Sequence, residues 1–328
     1  MEYQCEALSA AGLADRLLFP TDAGYEPQIA TWWSQTSRLR PYCLILPQNT
    51  KEVSTALKAL VEVNDGAGDW HIAVRSGGHS SIGSSNINHG VTIDLSMMNS
   101  SVYDDHTKVA SIEPGGRWMD VYSNLEKYGV TVAGGRDGGV GVGGFLLGGG
   151  ISFFSGRMGF GCDTVMNYEV VLANGSVINA NSETHADLWR TLKGGGSNFG
   201  IVTRFDMEVI PSRNLYYDFR LLSIDYSDAL IDALIGFADQ EESLADNNII
   251  VLYTYNTTVG PGIYTAAIYV NTNGDGNSTT AFEKIRNLPA LTNFTTLQTM
   301  AQAAAGSQLP GGTRLVCVGL LSSDLTTN

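Results

Sequence analysis

The sequence has no apolar run approaching the roughly 18 residues that a membrane-spanning helix needs. It is poor in basic residues: 19 Lys and Arg stand against 33 Asp and Glu, a formal net charge of −14. That balance argues against a nucleic-acid partner and against attachment to anionic membranes. Cysteine is scarce. Cys5, Cys43, Cys162 and Cys317 form no C-x-x-C pair, so no zinc site is expected. The five histidines, His71, His79, His89, His106 and His185, include no H-E-x-x-H. There is no G-x-x-x-x-G-K-[S/T] phosphate loop and no G-x-S-x-G nucleophile elbow. Gly195-Gly196-Ser197-Asn198-Phe199 lacks the final glycine of that elbow. Residues 1–14 lack the basic and apolar regions of a signal peptide, which taken literally makes the chain cytosolic.

What the chain has in abundance is glycine, 38 residues, clustered rather than periodic. A collagen-like reading therefore fails. With 328 residues, 43% of them hydrophobic, a buried core and about two domains are expected. The first cluster is Arg75-Ser76-Gly77-Gly78-His79. It follows an apparent β-α-β unit: a strand at 44–46, a helix capped by Asn49 or Thr50 with Val53, Leu57, Leu60 and Val61 at helical spacing, a turn at 65–68, and a strand at 72–74. Successive amides in such a glycine turn can form an anion-binding nest. His79 at its rim has two uses on this reading. It is either a polar contact or the point of covalent attachment of a cofactor.

The second cluster fills 134–150 and is not a dinucleotide fingerprint, because the G-x-G-x-x-G spacing is wrong and it does not open the first β-α unit. A third lies at 194–196. One glycine pair alone is most simply a tight turn. Three clusters around one sheet suit a large, flat, diphosphate-bearing cofactor. Arg136-Asp137 reads either as an ion pair within a turn or as a cofactor-facing pair. Further strands are expected at 91–95, 109–112, 168–172, 177–180 and 201–209, with Asn174-Gly175 as a hairpin signal. Helices are expected at 118–128 and 185–193. Beyond a boundary near 210–214, strands at 249–255 and 263–270 surround a helix at 227–241, and the apolar stretch 315–321 looks like one more strand, which suggests that the sheet continues beyond the chain. Cys5 and Cys43 can pair to pin the N-terminal arm, or all four thiols can be free and buried. Five N-x-S/T sequons, at Asn99, Asn174, Asn256, Asn277 and Asn293, point to a secretory route despite the missing signal peptide.

Taken in order, Arg75 to His79, Gly135-Arg136, Val140 to Gly144, Gly148 to Arg157, Asn167 to Val171 and Leu192 to Thr203 resemble the FAD-linked oxidoreductases of the berberine-bridge-enzyme-like group. These belong to the vanillyl-alcohol-oxidase superfamily with a PCMH-type FAD-binding domain, and the fungal branch is the most similar. The resemblance runs from about Leu13 to the end. It implies an α+β fold: an N-terminal arm (1–36), a PCMH-type domain of two α+β subdomains clasping FAD (37–212), and a partial substrate domain with an antiparallel sheet (213–328). It implies a covalent flavin on His79, and a pyrophosphate wrapped by Arg75, Ser76, Gly77, Gly78, His79 and Ser80. Gly135, Arg136, Gly139, Val140, Gly143, Gly144, Gly148 and Gly149 would follow the ribityl chain and ring, and Gly200, Ile201 and Val202 would approach the nucleotide. Asp137 stands where bicovalent relatives carry a cysteine, so a single histidyl link is implied, with Cys162 structural. Cys5 and Cys43 match a family disulfide. The implied activity is an oxidase. A small-molecule alcohol, sugar or secondary metabolite gives hydride to the flavin and dioxygen restores it. Tyr253, Tyr255, Tyr264 and Tyr269 are candidates for the substrate pocket, and the catalytic base is unassigned. Relatives are longer, so the chain also reads as truncated. The competing readings are a flavin-binding paralogue without turnover and an oxidative cyclase.

Overall fold

The computed structural model describes residues 3–63, 71–238, 245–255, 260–276, 282–309 and 311–312. The expected strand at 315–321, Cys317 and the sequons at Asn256 and Asn277 lie outside the described residues.

The first sheet grows from the β-α-β unit. The Asn49 side chain accepts from the Glu52 amide at 3.0 Å and starts the helix Thr50–Glu62, which buries Val53, Ala56 and Leu60. This helix carries the chain from strand Cys43–Ile45 to strand Ile72–Arg75. Strand Val91–Asp94 then inserts between the two, parallel to both. Strand Leu17–Leu18 of the N-terminal arm pairs antiparallel with the outer side of Cys43–Ile45, so the arm closes the sheet's edge. A disulfide joins Cys5 to Cys43 beneath it, and both cysteines are buried. Reduction of this bond is expected to lower stability by about 2–4 kcal/mol, because it closes a long loop in the unfolded chain. Thermal melts with and without dithiothreitol measure this, and an unchanged midpoint would show that packing of Leu8 and Leu13 holds the arm alone.

The second sheet is antiparallel, in the order Ser101–Asp104, Val109–Ile112, Ile201–Glu208, Val165–Val171, Val177–Asn181. Its last hairpin turns at Asn174-Gly175, with Gly175 at φ +75°. Arg204 on the central strand is bracketed by Glu169 at 3.0 Å and Asp206 at 2.8 Å. Helix Trp118–Leu125 buries Trp118, Val121, Tyr122 and Leu125 against this sheet's core.

After the short strand pair Ile210–Pro211 and Val130–Thr131, the chain enters a third sheet. It is antiparallel throughout, in the order Asn247–Tyr255, Ile263–Asn271, Leu215–Ser223, Thr292–Gln298. Strand parity gives it two faces. One carries Tyr216, Leu222, Ala267 and Tyr269 into a core with helix Ser227–Ala238. The other carries Leu215, Tyr217 and Val270 into the same core as the second sheet. The register pairs Tyr253 with Thr265 and Tyr255 with Ile263, on the helix-side face with Tyr269. Tyr269 is fully buried against Phe282, so it does not line a substrate pocket. Of the four tyrosines, Tyr264 alone shares the opposite face with Ile268 and Val270. The sequence located these strands but not which parity turns inward.

Candidate active site

The two main glycine clusters meet. A Cβ on Gly77 would stand 2.5 Å from the Gly141 Cα, and one on Gly141 would stand 2.3 Å from the Gly77 nitrogen. Real Cβ contacts are never that short, so only glycine allows the two backbones to cross here. Ser76 clamps the crossing. Its hydroxyl donates to the Pro114 carbonyl and accepts from the Gly143 amide at 3.0 Å.

Arg75, which opens the turn, points inward. Its guanidinium donates to Asp94 Oδ2 at 2.7 Å and to Thr31 Oγ1 at 2.7 Å, and it lies 3.8 Å over the Trp32 ring. Both members of the ion pair are buried, at 1% and 0% exposure. The Arg75 side chain is therefore engaged within the protein, and it braces the turn from below. Gly78 follows at φ +62°. From Gly77 to Ser81 no backbone amide has an acceptor among the described residues. Five consecutive unspent donors are the raw material of an anion nest.

His79 sits on the wall of an open cleft of about 430 Å³, with Trp33, Arg117, Gly138, Gly139, Gln308 and Leu309 among its neighbours. The imidazole stacks on Trp33 at 4.8 Å between centroids, 21° from parallel. Its Nε2 is buried with no hydrogen-bond partner and lies 3.9 Å from Asp137 Oδ2. Burial pushes the His79 pKa below its ordinary value; Asp137 opposes that shift and Arg117 adds to it. Burial thus favours the neutral ring, which has one nitrogen lone pair and one N–H. Asp137 is held in place: Oδ1 accepts from the Gly139 amide at 2.7 Å and Oδ2 from the Leu309 amide at 3.2 Å. It faces His79, so it makes no ion pair with Arg136. Arg136 has no hydrogen bond or ion pair among the described residues, and burial alone lowers its pKa.

The remaining sequence-chosen positions fall in two groups. Gly135, Gly139, Val140, Gly143 and Gly144 belong to the stretch that runs from the Trp118 ring to the crossing with Gly77. The Gly135 carbonyl accepts from the Tyr122 hydroxyl at 2.9 Å, and the Gly139 carbonyl accepts from Arg117. Gly148 ends the helix Val142–Leu147, and Gly149 pairs by its carbonyl with the Cys162 amide. Ser80 is tied by its carbonyl to the Ser37 hydroxyl. Gly200, Ile201 and Val202 lie at the start of the central strand, with the Ile201 and Val202 side chains in two separate cores. These last two can offer a ligand only backbone. Cys162 is buried and its pKa is raised by burial, which makes it a packing residue. Sequence reasoning missed Trp33, Arg117, Gln308, Leu309 and Gly311 as cleft walls. The tandem Trp32-Trp33 in the arm was the one signal that could have drawn attention there.

A mixed α+β unit with unspent turn amides beside a cleft, and a desolvated histidine on its wall, can receive a phosphate-bearing ligand. Comparison with known proteins falls on the same residues. Residues 41–181 match the family described as FAD binding domain. The FAD-dependent monooxygenase sdcF of Emericella nidulans is 36% identical over 318 residues, covering 96% of this chain and 65% of its own length. The chain thus spans less than two thirds of that relative. Among solved structures, a carbohydrate oxidase from Microdochium nivale superimposes with a TM-score of 0.76 at 26% identity, over 92% of this chain and 63% of that one. A berberine-bridge-enzyme-like protein of Physcomitrella patens gives 0.78 at 20% identity, over 94% and 68%, and shows the shared fold. Residues 41–181 thus match an FAD binding domain, so FAD is the cofactor indicated; the chain is similar in sequence to fungal FAD-dependent monooxygenases and shares the fold of the berberine-bridge-enzyme-like oxidases.

Proposed function

We propose that the protein is an oxidase that takes hydride from a small-molecule donor, an alcohol, sugar or secondary metabolite, with FAD bound covalently through His79 and restored by dioxygen. The observation that carries this is an imidazole on the cleft wall, its Nε2 buried without a partner, beside five unspent amides. A buried polar atom without a partner costs stability unless a ligand engages its ring or its surroundings. When bound, the flavin supplies the two-electron redox chemistry. The chain's own residues bind and orient. The amides of Gly77 to Ser81 receive the pyrophosphate, with Ser76 holding the turn against the second glycine stretch. Trp33 fixes the plane of the imidazole. Arg117 keeps a cation near the cleft, where negative charge on a ligand is favoured. On the third sheet the exposed Phe294, with Phe219 stacked on it at 5.4 Å, supports a donor site lined by aromatic rings. The exposed sequons at Asn99, Asn174 and Asn293, with the Cys5–Cys43 disulfide, support maturation in an oxidising compartment.

The test is direct. Acid-precipitated protein is expected to keep its yellow colour in the pellet, and peroxide is expected from at least one member of a panel of alcohols, oligosaccharides and aromatic alcohols. A colourless pellet removes the tether. Peroxide from no donor, with the flavin in place and reducible by dithionite, removes the oxidase.

A further inference from the structure

We propose that Asp137 is the positioning residue for attachment of the flavin to His79, holding a proton on Nε2 so that Nδ1 is the ring nitrogen that forms the bond. This rests on the reading of His79 as the tether. Three observations carry it. The Asp137 carboxylate lies 3.9 Å from Nε2 and faces no other cation at that distance among the described residues. Nε2 has no hydrogen-bond partner although it is buried. The carboxylate is pinned by the Gly139 and Leu309 amides, and the ring by Trp33, so neither side of the pair can turn freely.

A carboxylate fixed in front of one imidazole nitrogen selects the tautomer that carries the proton there. The other nitrogen then keeps its lone pair. The attachment balances as follows. The Nδ1 lone pair forms a bond to a methyl carbon on the flavin's benzenoid ring while one methyl C–H bond breaks, and that bond's two electrons reduce the flavin. The imidazole then gives up its Nε2 proton on the side that faces Asp137. Both protons and both electrons leave with dioxygen as hydrogen peroxide, and the flavin is again oxidised. Asp137 touches neither reacting atom; it acts through the ring. A cysteine at this position would instead offer the flavin a second bond of its own. The aspartate serves the single histidyl bond.

The experiment compares wild type with Asp137→Ala, Asp137→Asn and His79→Ala, each produced as the full chain and loaded with FAD. Covalent flavin is followed with time by in-gel fluorescence after denaturation, total flavin by absorbance. Asp137→Ala is expected to bind FAD but to incorporate it covalently at least about tenfold more slowly, the scale of losing a positioned proton acceptor. Asp137→Asn keeps the Gly139 bond through its single oxygen and turns its NH2 towards Nε2, so it is expected to stay as slow as Asp137→Ala, whereas a merely structural role predicts recovery by this isostere. In wild type, the flavopeptide released by proteolysis is expected to be linked through Nδ1. Wild-type rate in Asp137→Ala overturns the proposal. Linkage through Nε2 overturns it too, and that measurement needs no variant to fold. Covalent flavin in His79→Ala would overturn the tether itself, a separate result.

Discussion

His79→Ala is expected to abolish covalent flavin, leaving all FAD in the supernatant after acid precipitation, while the folded variant still binds FAD reversibly. The separation follows from the geometry. The nest amides of Gly77 to Ser81 are backbone and survive the substitution, as does the Ser76 clamp that joins the turn to the second glycine stretch. Only the side chain that can bond to the cofactor is lost. The ring is about one fifth exposed and packs mainly on Trp33, so its removal costs little folding stability. Absorbance of the native variant, absorbance of its acid supernatant, and a thermal melt together distinguish loss of the bond from loss of the fold. Retention of yellow colour in the precipitate would place the tether on another side chain and end the argument from His79.

The second large effect concerns the floor of the same turn. Asp94→Ala is expected to destabilise the protein by about 3–5 kcal/mol, since it leaves the Arg75 cation buried and unpaired. Arg75 has no reserve partner. Its Nε is already without a hydrogen bond, and its remaining contacts are the Thr31 hydroxyl and the Trp32 ring. Asp94 also accepts from Gln28 Nε2 at 2.7 Å and from the Ser96 amide at 3.0 Å; without it the Ser96 amide loses its acceptor and Gln28 keeps only the Ser96 hydroxyl at 3.3 Å. The double variant Arg75→Met, Asp94→Leu removes both charges and is expected to recover much of the loss, because an apolar pair of similar volume avoids desolvating either ion. Urea melts of the three proteins measure both steps. A double variant no more stable than Asp94→Ala would mean that the hydrogen bonds of Asp94, not the charge of Arg75, decide the cost. FAD affinity should fall in parallel, since the residue after Arg75 begins the clamp.

These two residues mark how far the sequence could be read. The helix Thr50–Glu62 was visible from its Asn49 cap and its apolar spacing, and the hairpin from Asn174-Gly175, because those signals are local. The glycine turn and His79 were visible for the same reason, and so was their likeness to a flavoprotein family. Arg75 was assigned to the pyrophosphate because it heads the motif, yet its partner Asp94 is nineteen positions on and only the parallel pairing of two strands sets them side by side. Strands Leu215–Ser223 and Thr292–Gln298 were not anticipated. The first sets the charged Asp218–Arg220 pair on the same parity as the buried Tyr216 and Leu222, and the second is largely Thr and Asn with an exposed face. Neither shows clean alternation. The tyrosines of the third sheet obeyed the expected period of two, but the sheet's inward side is decided by packing against Phe153 and helix Met300–Gly306, far off in sequence.

Helix Met300–Gly306 follows the last described strand of the third sheet. Its Ala304 carbonyl accepts from the Gly138 amide at 2.9 Å, and the residue three beyond its end, Leu309, reaches Asp137. The segment that leaves the third sheet is thus stitched to the second glycine stretch by one main-chain bond, Gly138 to Ala304, and by the Asp137 side chain, which accepts from the Leu309 amide. A cut near residue 212 would therefore separate the two sides of that fastening. A chimera cut there would import a foreign fastening for Asp137 along with its new sheet, so the incoming segment must be matched to its host at the backbone of 304 and 309.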